Sequence, residues 1–272
     1  MSGIKFAFGR PIAASIIAAG LILSVSGAGP VNARQSPATQ GRGGQPAPPA
    51  QPRIKALVVS GGCCHDWITQ GRILMESVNK VLPVDWTVAY HGDRGTRSRF
   101  PVYDTPSWSK GFDIVIHNEC SADVTDEAFL RTIASGHSTG TPAIVIHCSM
   151  HSYRAATVDT WRELLGATSR HHTAAHRINV KWAKDQPAVE GMADGWVTPV
   201  DELYVIEKFG PTSKALATAV SPEDQREYPL AWTSDYHGAR VFGTTLGHGN
   251  DTWNDPVFQD LLVRGFKWAL KR

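Results

Sequence analysis

The sequence from residue 55 onward alternates short apolar runs with amphipathic stretches. Residues 55–60 form an apolar run that stops at Gly61-Gly62, as a buried parallel strand followed by a turn does. Over residues 69–82, leucine and valine recur every four positions, which predicts a helix with one apolar face. Residues 85–90 predict the next strand. This segment therefore has the pattern of a βαβ unit.

The alternation continues through the middle of the chain. Residues 112–117 and 143–147 predict two further strands, with a helix capped by Thr125 between them. Strands that alternate with helices are typical of a doubly wound, mostly parallel sheet, so the predicted fold class is α/β. The second half is richer in strands and predicts added β-hairpins, at residues 177–182, 202–206, 214–220 and 239–245. A final helix is predicted over residues 256–270.

The N-terminal residues have a different pattern. Residues 1–33 place basic positions first, then a short apolar run and small residues, which predicts a signal peptide cleaved near Ala33. This predicts export to the periplasm or the extracellular space. The alternative is an uncleaved membrane anchor, but the apolar run is shorter than the roughly 20 residues that span a bilayer. Residues 34–52 are rich in Pro, Gly and Gln and predict a disordered linker, which leaves residues 53–272 as one domain without a predicted transmembrane segment.

Charge and cysteine content narrow the function classes. The formal net charge is +2, from 27 basic and 25 acidic residues, and no basic stretch is interleaved with aromatic residues. Nucleic-acid binding is therefore not expected. The four cysteines lack the spacing of a disulfide framework, because Cys63 and Cys64 are adjacent. Cys120 and Cys148 are compatible with a bridge, and equally with free or metal-facing thiols.

Polar side chains directly follow several predicted strands. Open α/β sheets bind ligands beyond the carboxyl ends of their strands, where the loops converge. His147 and His151 are four residues apart, so one turn of helix would place both rings on one side, and with His65 they are the candidate ligands of a divalent metal such as zinc. The alternative for each is a half-buried polar group or a surface helix terminus. The candidate substrate-binding residues are Asp66, Asn118, Tyr153 and Arg154.

Three residues are candidates for acid–base catalysis. Glu119, Glu202 and His248 lie beside strand ends, where a carboxylate can act as general base and an imidazole as general acid. The alternative for Glu202 is a surface ion pair. Cys148 follows a strand, as a nucleophile does, but it lacks the flanking glycines of a nucleophile elbow, so a packed thiol is the favoured interpretation.

Two further groups of residues have open roles. One group of histidines is interpreted as solvated or rim residues of a polar loop: His171, His172 and His176. One group of tryptophans could stack on a sugar face or simply fill the core: Trp67, Trp182, Trp232 and Trp253.

Five segments resemble the ThuA-like family, which is named for trehalose utilisation. They are KALVVSGGCCHDW (residues 55–67), FDIVIHNE (112–119), AIVIHCSMHSYR (143–154), DELY (201–204) and YPLAWTSDYHGARVFGTTLGHGNDTWNDPVF (228–258). The last segment is the most specific. The resemblance covers essentially the whole of residues 53–272 and implies a flavodoxin-like fold similar to that of class I glutamine amidotransferases.

The resemblance also implies a substrate class. Members of the family are linked to disaccharide and keto-sugar metabolism, so it implies a small-molecule carbohydrate or an oxidised derivative. Glutaminase activity is not expected, because the Cys-His-Glu triad of the amidotransferases is not recognisable in this chain. The resemblance then implies a sugar pocket, with or without a divalent metal, lined by His65, His147, His151, Glu119, Glu202 and His248. Two alternatives stay open: a non-catalytic carbohydrate-binding or scaffold protein, and a metal-dependent hydrolase of amide or ester bonds.

Overall fold

The computed structural model describes residues 52–272, so the predicted signal peptide and the linker up to residue 51 lie outside the described residues. Within this part the strands are β1 (Ile54–Gly62), β2 (Val84–His91), β3 (Ile114–Cys120), β4 (Ala143–Ile146), β5 (Ala167–His172), β6 (His176–Asn179), β7 (Lys181–Trp182), β8 (Val197–Asp201), β9 (Tyr204–Phe209), β10 (Lys214–Val220), β11 (Glu227–Tyr236) and β12 (Ala239–Thr244). The helices are α1 (Trp67–Asn79), α2 (Glu127–Ser135), α3 (Thr160–Leu165), α4 (Asn250–Asn254) and α5 (Pro256–Ala269).

Eight strands form one sheet in the order β2-β1-β3-β4-β12-β11-β10-β7. The first five are parallel, and the last three continue the sheet as antiparallel strands. Two small two-stranded sheets, β5-β9 and β6-β8, stand beside it. The predicted α/β fold class with added hairpins is therefore confirmed. Because the five parallel strands all end at one edge, the loops that follow them converge there.

The central strands of the sheet are buried on both faces, and their side chains alternate between two cores. Ala56 and Val58 of β1 pack in the core that includes α1 and α5, whereas Leu57 and Val59 pack in the core that includes α2 and α3. Successive residues of a strand point to opposite faces, so a continuous apolar run is what a doubly covered strand requires. This is the physical reason why the apolar runs in the sequence located the central strands.

Two adjacent glycines allow β1 to end against its neighbours. A Cβ on Gly61 would lie 2.1 Å from the carbonyl oxygen of His91, and a Cβ on Gly62 would lie 2.1 Å from that of Cys120. Both residues also have positive φ angles, +132° and +87°, which favour glycine. The chain can therefore leave β1 between the ends of β2 and β3 and deliver the next residues to the edge of the sheet.

Several local predictions differ from the structure. Asp126, and not Thr125, caps α2: its side chain accepts a hydrogen bond from the amide of Phe129 at 3.0 Å. The segment around His171 and His172, interpreted from its polarity as a loop, is β5, which pairs with β9. Its outer residues are exposed and therefore polar, so the apolar alternation that identifies a strand is missing.

The four tryptophans with open roles belong to the core. Trp67, Trp182, Trp232 and Trp253 are all buried, with at most 6% of their surface exposed. No helix within residues 52–272 combines the length and the apolar character that a membrane crossing would need.

We predict that Gly62→Ala lowers the free energy of unfolding by ~2 kcal/mol or more, because the new methyl group collides with the backbone at Cys120 and the backbone is strained at positive φ. Gly71→Ala is the matched control: it lies within α1 with open space around its Cα, so it should raise stability by ~0.5–1 kcal/mol. Urea denaturation measures both. Equal stability of the two variants would contradict this account of the β1 terminus.

Candidate functional site

Three histidines meet at the carboxyl edge of the sheet. His65 follows β1, His147 follows β4 and His248 follows β12, and these three strands are parallel. One ring nitrogen of each histidine lies within 4.8 Å of those of the other two. We call this group, His65, His147 and His248, the histidine cluster. Three imidazoles at this separation are a potential metal-binding arrangement.

Backbone carbonyls orient two rings of the histidine cluster. The Nδ1 of His147 lies 2.7 Å from the carbonyl oxygen of Thr245, and the Nδ1 of His65 lies 3.1 Å from that of His248. A carbonyl oxygen only accepts, so each Nδ1 carries the proton and each Nε2 keeps its lone pair. This is the arrangement found around metal-ligating histidines, where the second ring nitrogen is held by a hydrogen bond.

The buried carboxylate of Asp201 connects the loop that carries His248 to the segment that carries Glu202. Asp201, at the end of β8, accepts hydrogen bonds from the amides of Glu202, Gly247 and His248 at 2.8, 3.0 and 3.3 Å. Burial raises the pKa of Asp201, while these amide donors oppose the shift. The carboxylate thereby fixes the loop after β12 against the segment that carries Glu202.

Glu202 supplies the carboxylate next to the histidine cluster. Its carboxylate oxygens lie 3.3 Å from the Nδ1 of His248, 3.6 Å from the Nε2 of His147 and 3.6 Å from the Nε2 of His172. The Glu202 side chain is 13% exposed, so it faces the cavity without being free in solvent. The hydroxyl of Tyr204 lies 3.4 Å from the same Nε2 of His147 and completes the polar surroundings of that ring.

Burial and charge set the protonation states. Burial lowers the pKa of His65 to about 3 and that of His147 to about 4, so both are neutral at pH 7. Burial also tends to raise the pKa of Glu202, but the nearby histidines outweigh it and the pKa is lowered. The Glu202 carboxylate in turn raises the pKa of His248. At neutral pH the site therefore combines two neutral imidazoles with an ionised carboxylate and a histidine that is more readily protonated.

A cavity of about 240 Å³ opens beside these groups. Its polar lining residues include four histidines, Glu202 and Tyr204, and its less polar lining residues are the four cysteines and Ala122. Thr96 and Arg154 also line it. The volume is just below the range of ~300–1,000 Å³ for pockets that hold drug-sized ligands, so the cavity suits one small ring.

The structure places the predicted metal ligand His151 outside the histidine cluster. Its Nε2 lies 3.1 Å from the hydroxyl of Ser169, and its ring stacks on that of Tyr204 with centroids 3.8 Å apart. His248 takes the third position instead, because β12 lies next to β4 in the sheet. His151 still lines the cavity and supports Tyr204.

The predicted substrate-binding residues separate into two sets. Arg154 is exposed and lines the cavity, and Asp66 is an exposed helix cap that also accepts a hydrogen bond from Asn250 at 2.8 Å. Tyr153 and Asn118 are buried, with 0% and 1% exposure, so neither can reach a ligand in the cavity without rearrangement.

Glu119, predicted as catalytic, belongs to a separate buried cluster. It lies on β3 with 0% exposure, accepts a hydrogen bond from the hydroxyl of Tyr103 at 2.8 Å and lies 3.1 Å from the Nδ1 of His117. The Nε2 of His117 contacts the Nε2 of His137 at 3.0 Å, and the Nδ1 of His137 donates to the carbonyl oxygen of Thr141 at 2.7 Å. This network supports the core on the α2 side of the sheet.

The four cysteines form two disulfides, Cys63–Cys64 and Cys120–Cys148. The adjacent pair, which did not resemble a disulfide framework in the sequence, is therefore bridged. Cys148 has no free thiol, so it cannot act as a nucleophile while the bridge is intact.

Three residues of the site have no functional role in the sequence analysis. Asp201 and Tyr204 were noted only as parts of the DELY segment, and their position on either side of Glu202 was the available signal. His172 was interpreted as a solvated or rim residue without a chemical role, and its ring lies in the cavity lining 3.6 Å from Glu202.

Comparison with known proteins identifies relatives of the whole domain. A family model described as ThuA, trehalose utilisation, matches residues 55–269. A ThuA-like protein from Parabacteroides merdae has a TM-score of 0.65 and 21% identity over 80% of this chain and 90% of that chain. A ThuA-like protein from Bacteroides uniformis has a TM-score of 0.62 and 15% identity over 83% of this chain and 95% of that chain.

A more distant structure has the same fold. A GMP synthase subunit protein from Thermoplasma acidophilum has a TM-score of 0.51 and 14% identity over 80% of this chain and 94% of that chain. No curated protein matches the chain. Identities this low show the fold alone, and the resemblance to amidotransferase-like folds is confirmed at that level.

We predict that His137→Gln makes stability less dependent on pH. Burial lowers the pKa of His137 to about 3 in the folded state, against 6.5 for an exposed histidine, so the unfolded chain binds the extra proton between these values. The contribution of neutral His137 to the free energy of unfolding is therefore complete above pH 6.5 and is lost as the pH falls towards 3. Removing the titrating ring should reduce the slope of the free energy of unfolding against pH by up to ~1.4 kcal/mol per pH unit.

The measurement is urea denaturation from pH 8 to pH 4. His171→Gln is the matched control, because the His171 side chain is 62% exposed and should leave the slope unchanged. A slope in His137→Gln as steep as that of the parent chain would contradict the assignment.

Proposed function

Because this chain belongs to the ThuA family, whose name denotes trehalose utilisation, we propose that it acts on a carbohydrate or keto sugar in the cavity beside the histidine cluster. The observation that carries the proposal is the convergence of the histidine cluster with the Glu202 carboxylate beside this cavity, which His65, His248 and Glu202 line. These groups supply a general base, a general acid and a potential metal site around space for one sugar ring.

Glu202 and His248 are suited to opposite roles in proton transfer. Glu202 stays ionised at neutral pH, so it can take the acidic proton from the carbon next to the carbonyl of a keto sugar, while the C–H electron pair moves onto the carbonyl oxygen. His248 has a raised pKa, so when no metal is bound it can donate a proton to the oxygen that leaves. Collapse of the enolate then breaks the bond to the glycosidic oxygen. Alternatively, the hydroxyl on the deprotonated carbon gives its proton to the enolate oxygen, and protonation of the former carbonyl carbon yields the isomeric ketone.

The donor set also fits a divalent metal such as zinc. His65 and His147 are neutral with Nε2 lone pairs available, and a carboxylate lies beside them to balance the positive charge. A bound metal would act as a Lewis acid on the carbonyl oxygen of the substrate. The protein residues would hold it, exclude part of the solvent and keep Glu202 within reach of the sugar.

We also propose that the protein is exported. Two disulfides within the domain are typical of proteins that fold in oxidising compartments, and they agree with the signal-peptide pattern of residues 1–33. N-terminal sequencing of the protein from the extracytoplasmic fraction should begin at Arg34. Recovery of the intact N-terminus from the cytoplasm alone would contradict export.

We predict that the zinc-loaded protein retains about one zinc per chain after dialysis, and that His248→Ala and His147→Ala each lose most of it, because a site with three protein ligands needs all of them. His151→Ala is the matched control: its ring contacts Ser169 and Tyr204 rather than the histidine cluster, so this variant should keep its zinc. Elemental analysis measures the metal content. Loss of zinc in His151→Ala with retention in His248→Ala would contradict the assignment.

We predict that Glu202→Gln lowers turnover of a keto sugar by ~10²–10⁴-fold, because the general base is lost while shape and volume are kept. Glu207→Gln is the matched control, since Glu207 lies further along β9 in an ion pair with Arg170. The assay follows products from methyl 3-keto-α-D-glucoside by NMR. Undiminished turnover in Glu202→Gln would remove Glu202 from the mechanism, and sugar-induced thermal stabilisation without any product would favour the non-catalytic alternative.

A further inference from the structure

The two disulfides form one continuous apolar surface inside the cavity. The Sγ atoms of Cys63 and Cys120 lie 3.6 Å apart, so the Cys63–Cys64 and Cys120–Cys148 bridges are in van der Waals contact. All four cysteines line the cavity. We call this surface the sulfur wall. It lies at the ends of β1, β3 and β4, three neighbouring strands of the sheet.

The sulfur wall is supported from behind. Trp67 packs against Cys63, Cys120 and Cys148 in a small buried cluster, and its indole N–H donates to the carbonyl oxygen of Gly62 at 3.0 Å. Cys64 is exposed, whereas the other three cysteines are at most 7% exposed. The sulfur atoms are therefore held by a rigid backing and present a fixed surface to the cavity.

The chemistry of the sulfur wall differs from that of the polar residues that line the same cavity. Disulfide sulfur is polarisable and apolar and has no hydrogen to donate, so it offers dispersion contacts rather than hydrogen bonds. Glu202, His172 and His248, which line the same cavity, offer hydrogen bonds and charge. A ligand that matches both the sulfur wall and the polar lining residues has one apolar face and a rim of hydroxyl groups. A pyranose ring has this form.

Within the described residues, no tryptophan or phenylalanine lines the cavity. The four candidate tryptophans are buried, and none is among the residues that line the cavity. The one aromatic residue there besides the histidines is Tyr204, and the His151 ring lies parallel to it at 3.8 Å and covers one of its faces. The sulfur wall and Ala122 are therefore the non-aromatic apolar surface that the cavity offers to the C–H face of a sugar.

We infer that the sulfur wall is the surface on which the C–H face of one pyranose ring packs, so that its hydroxyl and carbonyl groups face Glu202 and the histidine cluster. This inference rests on the proposed function and specifies its substrate as a cyclic sugar. The volume of about 240 Å³ accommodates one ring, so the second ring of a disaccharide would extend past Thr96 and Arg154.

The test compares a ring with an open chain. Titration calorimetry on the zinc-loaded full-length chain uses D-glucose, trehalose and D-sorbitol, an open-chain polyol that has hydroxyl groups but no flat C–H face. The variant Cys63→Ala/Cys64→Ala removes the exposed bridge and leaves the histidines in place. Affinity for D-glucose should fall about tenfold, which corresponds to about 1.4 kcal/mol, whereas affinity for D-sorbitol and zinc content should be unchanged.

A second variant covers the case in which the double variant does not fold. Ala122→Leu keeps both disulfides and adds bulk at the sulfur wall, so it should also weaken D-glucose binding about tenfold or more with zinc retained. Unchanged D-glucose affinity in a folded variant of either kind overturns the role of the sulfur wall and leaves the proposed function standing. Failure of the parent chain to bind any of D-glucose, trehalose and methyl 3-keto-α-D-glucoside overturns the carbohydrate proposal itself, and the sulfur wall inference with it.

Discussion

The site depends on one buried carboxylate. Asp201 accepts three backbone hydrogen bonds, and these connect residues that are far apart in the sequence, Glu202 on one side and Gly247 and His248 on the other. Without this acceptor three amide groups would be left unpaired in the protein interior, at a cost of about 1–3 kcal/mol each. The same interaction places the acid and the third histidine of the site together, so the fold and the chemistry share one constraint.

Two polar clusters within residues 52–272 show how access decides chemical use. The cluster around Glu119, His117 and His137 is linked by internal hydrogen bonds and has no exposure, although the Oε2 atom of Glu119 has no partner. The histidine cluster, in contrast, lies beside a cavity, and His248 and Glu202 keep partial exposure. Both clusters contain imidazoles and a carboxylate, and position relative to the cavity separates the structural cluster from the candidate site.

The sequence predicted those parts of the site that local pattern determines. His65 and His147 follow apolar runs, and the carboxyl ends of parallel strands meet at one edge of a sheet, so their proximity could be predicted. The family resemblance placed His248 in the same pocket, but local pattern did not identify it as the third histidine of the cluster. The pairing of β12 with β4 brings together residues about a hundred positions apart, and the four-residue spacing of His147 and His151 favoured a local pair instead. Glu119 shares a strand face with His117, two residues before it, and this alternation was the signal for a buried position. The bridge between Cys63 and Cys64 could not be predicted, because disulfide frameworks are recognised from cysteines that are spaced along the sequence and these two are adjacent.

The central claim is that His65, His147 and His248 form one ligand site next to Glu202. The most direct measurement is anomalous diffraction at the zinc edge from crystals soaked with zinc and D-glucose. The account predicts one strong peak at ~2.0–2.1 Å from a ring nitrogen of each of these three histidines, with sugar density between this peak and the disulfides. A zinc peak on His151, or sugar density elsewhere on the molecule, would contradict it.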